Sequence, residues 1–118
     1  MQQHVARLQR QQALAIAADM AERMIGNRSQ AANYASNAPL ITPVGSSNGG
    51  FYGDLLKNNI VNCATSTCLA NDLQRYDIAM WEGQLLGYTE RLAVGNPALG
   101  GVGGILNANG CIAELTNT

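Results

Sequence analysis

The sequence predicts an α+β domain, a long amphipathic helix laid across a small antiparallel sheet with a second helix between them. Three stretches carry that expectation. Gln2 to Ile25 has neither proline nor glycine and repeats apolar residues every three or four positions. Leu69 to Leu92 returns to the same period. Val102 to Leu115 is apolar and interrupted by Asn109-Gly110, a strong hairpin signal.

The first stretch is dense in Ala, Gln, Leu, Met, Arg and Glu, which lose least on entering a helix. Val5, Leu8, Gln12, Ile16, Met20 and Met24 form the apolar stripe, with Ala13, Ala17 and Ala21 in the next row. Val5, Leu8, Ile16, Met20 and Met24 are therefore the expected packing face. Asp19 and Arg23 have the i, i+4 spacing of a helix ion pair, and Gly26-Asn27 marks the C-terminus. Such a helix needs a partner surface in water, and its alanines predict that the partner comes close.

The wording of this helix adds a resemblance. Ala17-Ala18-Asp19-Met20-Ala21-Glu22-Arg23-Met24, then Asn27-Arg28 and an Ala-rich run to Tyr34, resembles the segment that follows the membrane helix in PilV-type minor pilins of bacterial type IV pili. Ile25 and Gly26 depart from the family's usual Arg-Ala pair. Further on, Asp77, Trp81, Leu85 and Leu86 match the family's segment after its small disulfide loop, and Asn96 to Gly104 matches its glycine-rich lead into a strand in type though not letter for letter.

The resemblance implies a type IV pilin-like fold and a subunit that helps initiate pilus assembly. Its partners would be other minor pilins, the major pilin and a tip adhesin. It further implies anchoring in the inner membrane before assembly and a place at the extracellular pilus tip afterwards. Met1 is followed by polar Gln2, Gln3 and His4 rather than by a leader site and an apolar span. We therefore expect an engineered soluble ectodomain that begins within the long helix, the alternative being a cytoplasmic protein without a targeting segment.

One domain is expected over residues 1–118: the truncated long helix at 1–28, a loop region with a disulfide loop at 29–71, the second helix at 72–92 and a hairpin at 100–118. Ser29 to Gly53 is rich in Asn, Ser, Gly and Pro and reads as a long loop, which the resemblance places on the filament surface. Asp54 to Asn62 is expected as a short helix with Asp54 as N-cap.

Cys63 and Cys68 enclose four residues, a spacing that permits a disulfide when the loop turns back on itself. Half of a zinc site is the weaker reading, because Cys111 and His4 lack ligand-like spacing, and free thiols are the third. No basic residue adjoins a cysteine to activate it, and Cys111 is the odd thiol.

In the second helix Leu73, Tyr76, Met80, Trp81, Leu85, Tyr88 and Leu92 build a broad apolar face, with Asn71 or Asp72 as N-cap. Gly83 and Gly87 weaken it by about 1 kcal/mol each relative to alanine and predict close packing, or a break near Gly87. The glycine-rich stretch after it lacks the Lys-Ser or Lys-Thr of a phosphate-binding loop. The resemblance implies a further strand after this hairpin, and with the sequence stopping at Thr118 the expectation is either that it is truncated there or that another segment or chain supplies the strand.

With 7 Lys+Arg against 8 Asp+Glu there is no electrostatic case for nucleic acid as a partner. Charge is unevenly placed: Arg7, Arg10, Arg23 and Arg28 outnumber Asp19 and Glu22 in the first helix, and the rest is acidic on balance. His4 stands alone and no serine sits in a nucleophile elbow, so no enzyme, metal or cofactor is expected. The rival readings are a type II secretion pseudopilin and a DNA-uptake minor pilin. The first often uses calcium near the C-terminus, for which Glu114, Asn109 and Asn117 are too few oxygen ligands. The second needs a basic or aromatic surface.

Overall fold

The computed structural model describes residues 2–39, 41–46, 50–87 and 109–113, with side chains from Arg7 onward. It contains α1 (Gln2–Gly26), a 3-10 turn (Arg28–Gln30), α2 (Ala31–Asn37), α3 (Gly50–Leu56) and α4 (Ala70–Leu86). Among the described residues there is no strand and no sheet, only one antiparallel bridge between Val44 and Gly110. The expected α+β, type IV pilin-like architecture is thereby corrected to a helical domain.

The bridge shows what became of the hairpin signal. Val44 N–H donates to Gly110 O at 2.6 Å and Gly110 N–H returns to Val44 O at 2.8 Å, while Ile112 N–H donates to Ala38 O at 2.8 Å. Gly110 is thus held by the connection between α2 and α3, far away in sequence. At Gly110 the pairing is therefore long-range, and packing reinforces it, because Gly110 also lies against the Trp81 ring. The rest of the expected hairpin, 100–108 and 114–118, lies outside the described residues, as does the glycine-rich stretch.

Helix α1 runs one residue beyond its expected end, to Gly26, where Asn27 N–H bonds back to Met24 O at 3.1 Å. The stripe packs on α4 instead of a sheet. Met20 is 1 % exposed at its centre, and Ile16 and Met24 are half-buried at its edges. Leu8 is 50 % exposed, so the expected packing face stops short of it; the Val5 side chain lies outside the described set.

The expected loop from Ser29 to Gly53 contains α2 and the first turn of α3. Ala31, Ala32 and Ala35 favour helix, and Tyr34, fully buried, anchors α2 to the core. The short helix expected from Asp54 instead starts at Gly50 and stops at Leu56. Asn58 beyond it takes a positive φ of 64°, and Asn59 N–H bonds to Asp54 O at 2.8 Å, which closes the helix early.

The second expected helix forms as α4, starting at Ala70 with no side-chain cap from Asn71 or Asp72. It ends at Leu86 because Gly87 adopts φ 76°, the left-handed cap that glycine takes without a Cβ penalty. Residues 88–92 lie outside the described set. Helix α4 is the centre of the molecule: α1, α2 and α3 all pack on it. One side gathers Met20, Tyr34, Ala38, Val44, Ile78, Trp81 and Leu85, and the other gathers Leu55, Ile60 and Ala79. Each of the larger side chains contributes about 1.5–3 kcal/mol on burial.

Between α3 and α4, Cys63 and Cys68 are joined by a disulfide with Cα atoms 5.6 Å apart. Asn62 shapes this small loop: its side-chain Oδ1 accepts from Ala64 N–H at 3.0 Å and its carbonyl from Ser66 N–H at 3.0 Å.

Candidate interaction site on the first helix

Asp19 and Arg23 in the last two turns of α1, and Asn27 just beyond its end, follow at intervals of four residues, and all three face α4. Arg23 Nε donates to Asp19 Oδ2 at 3.0 Å and its Nη1 to Asp77 Oδ1 at 2.9 Å. Tyr34 OH donates to the other oxygen, Asp77 Oδ2, at 2.6 Å. Asn27 Nδ2 donates to Tyr34 OH at 3.2 Å and to Ala70 O at 2.8 Å, tying α1 to the first turn of α4. Gln84 Nε2 reaches Asp19 Oδ2 at 3.1 Å from the far end of α4.

Asp77 is buried, and a carboxylate out of water is tolerated only when its lone pairs are bonded and its charge is matched. Arg23 and Tyr34 meet both needs. Burial lowers the pKa of Arg23, but the hydrogen bonds to Asp19 and then Asp77 outweigh it, and the guanidinium pKa ends up raised. Burial, reinforced by the hydrogen bond to Asp77, pushes the Tyr34 hydroxyl well above its ordinary value.

The structure therefore brings together Asp19, Arg23, Asn27 and Asp77 of the residues that carry the pilin resemblance. Met20 and Trp81 lie in the core beside them, and Met24 packs at its edge. Glu22 and Arg28 do not join the network: Glu22 is exposed on the outer side of α1, and Arg28 is exposed in the 3-10 turn that follows it.

Two buried groups, one in this network and one apart from it, escape sequence reasoning. Tyr34 sits in a polar, Ala-rich run with nothing to mark it as an anchor. Glu82 is fully buried, and its carboxylate accepts from Phe51 N–H at 2.8 Å, Tyr52 N–H at 3.1 Å and Gly45 N–H at 3.2 Å. It caps the start of α3 from another helix. Its signal was its register, four residues after Ile78 and three before Leu85, an acid inside the apolar stripe.

Beside the network, Ala21, Met24, Ile25, Arg28, Ala31, Ala35, Ile112 and Ala113 line an open apolar groove of about 680 Å³. Ile25 at its rim is 64 % exposed, and Leu14, about three turns closer to the N-terminus, is 71 % exposed. Cys111 is a free, exposed thiol. Among the described residues no group of three or more His, Cys, Asp or Glu side chains is placed to hold a metal ion, and no helix is long and apolar enough to cross a membrane. Glu114 and Asn117 lie outside the described residues.

Comparison of the chain with protein-family models, curated proteins and solved structures finds no match. The groove and the exposed side chains of Leu14 and Ile25 make the outer surface here apolar.

Proposed function

We propose that this chain is an assembly subunit of the PilV minor-pilin type, one that helps initiate a type IV pilus together with other minor pilins, the major pilin and a tip adhesin. The observation that supports the reading is convergence. Asp19, Arg23 and Asn27 belong to the first half of the resemblance and Asp77 to the second, and one hydrogen-bonded network holds them with Tyr34. Residues that share wording with the family thus share a structural task, fixing the long helix on the body of the subunit.

The mechanism is packing and makes no use of a pilin sheet. The network and Met20 keep α1 rigid, while the apolar groove and exposed Ile25 meet the neighbouring subunit. The full-length subunit is anchored in the inner membrane before assembly and stands at the pilus tip afterwards. The test is capture of purified minor pilins and major pilin by this domain, immobilised and shown to be folded by circular dichroism. Selective capture of minor pilins, lost in Ile25→Asp, is the expected result. Failure of the folded domain to capture any pilin overturns the reading.

A further inference from the structure

We propose that α1 pairs antiparallel with α1 of a second copy of this chain. The side of α1 turned away from α4 is exposed at Leu8, Gln11, Leu14, Ala15, Ala18 and Glu22. Leu14 and Leu8 stand 71 % and 50 % exposed on a helix of 25 residues whose opposite face is already used. Ala15 and Ala18, beside Leu14, leave room for a second helix at the shorter end of the usual 8–10 Å axial separation.

Charge selects the occupant and its direction. Arg7 and Glu22 are both exposed, and neither makes an ion pair among the described residues. At about 1.5 Å per residue they lie about 22 Å apart along one helix and cannot meet within a copy. A two-fold axis crossing between Leu14 and Ala15 sets Arg7 level with the partner's Glu22, and by symmetry Glu22 level with the partner's Arg7. The same axis brings the two Leu14 side chains together beside the Ala18 methyls. A parallel pair would place Arg7 beside the partner's Arg7 and Glu22 beside the partner's Glu22, and the repulsion disfavours it. The antiparallel contact is isologous and closes at a dimer. This inference uses only the exposure and charges of α1 and stands apart from the pilus assignment.

The test is sedimentation equilibrium of the whole 118-residue chain from micromolar to near-millimolar concentration. The expected result is a monomer–dimer equilibrium that weakens with added salt. Leu14→Asp, at an exposed position, keeps the wild-type circular dichroism and raises the dimer Kd at least about tenfold. Arg7→Glu and Glu22→Arg each weaken the dimer, and the double variant restores it, since each ion pair is re-formed with its signs exchanged. A chain that stays monomeric throughout, a Leu14→Asp variant that dimerises like wild type, or a charge exchange that fails to restore pairing overturns the proposal. Tighter association of Arg7→Gln alone, which would relieve the like-charge contact of a parallel pair, would also overturn it.

Discussion

Gly110 lies directly on the indole of Trp81: a Cβ built at Gly110 would come within 2.4 Å of the ring carbons Cη2 and Cζ2. The ring cannot give way, because Trp81 is buried in the main core cluster with Ile78 and Leu85. The backbone of Gly110 cannot withdraw either without breaking its bridge to Val44. Gly110→Ala is therefore expected to destabilise the fold by about 1–3 kcal/mol, the cost of overpacking a filled site. Urea unfolding followed by Trp81 fluorescence reads this as a lower midpoint with altered native emission. An unchanged midpoint would mean that the ring does not rest on Gly110.

Tyr34 and Asp77 give a pH dependence with a definite sign. The hydroxyl of Tyr34 is raised in the folded state, whereas in the unfolded chain it titrates near about 10. Below the unfolded value both states hold the proton and the contribution is complete. Above it the unfolded chain releases the proton first, so stability falls as pH rises toward the folded value. Tyr34→Phe removes the hydrogen bond and costs about 1–3 kcal/mol at neutral pH, because the buried Asp77 loses a donor. The difference between wild type and Tyr34→Phe should then narrow between pH 8 and 11, as measured by urea midpoints. A difference that is constant over that range would show that Tyr34 does not carry the effect.

The parts of the fold that were legible are those in which a single stretch decides its own outcome. Helix α1 sums many favourable residues over its length and ends where Gly26 and Asn27 stand, and α4 stops where Gly87 supplies a left-handed cap. Spacing permitted the Cys63–Cys68 bridge, which geometry then completes. What was not legible depends on distant partners. Asn109-Gly110 has the local chemistry of a hairpin, while the partners that Gly110 takes among the described residues, Val44 and Trp81, stand in no local window. The candidate site shows the same division: Asp19 and Arg23 announce their pairing by spacing, but Asp77 and Tyr34 enter the network only once α2 and α4 are packed.

Glu82 tests how far α3 depends on a side chain from α4. Its carboxylate serves the backbone N–H groups of Phe51, Tyr52 and Gly45, all of which Glu82→Ala leaves without this acceptor. The loss should be about 3 kcal/mol or more, since each buried, unsatisfied donor costs about 1–3 kcal/mol. Glu82→Gln retains an acceptor oxygen at nearly the same volume and should lose less. Hydrogen exchange at the Phe51 and Tyr52 amides is the direct measure: faster in Glu82→Ala than in Glu82→Gln, and slowest in wild type. Equal protection in all three proteins would remove Glu82 as the cap.

Gly26 is the opposite case to Gly110. It closes α1 in a helical conformation, it is not among the glycines with positive φ, and a Cβ there would meet nothing within 4 Å among the described residues. The glycine therefore confers no geometric benefit in the folded state, while its freedom favours the unfolded chain. Gly26→Ala should stabilise the protein by about 0.4–1 kcal/mol, chiefly by narrowing the unfolded ensemble. A thermal melt should show a higher Tm with an unchanged far-ultraviolet spectrum. A lower Tm would mean that this helix end needs the conformational freedom of glycine after all.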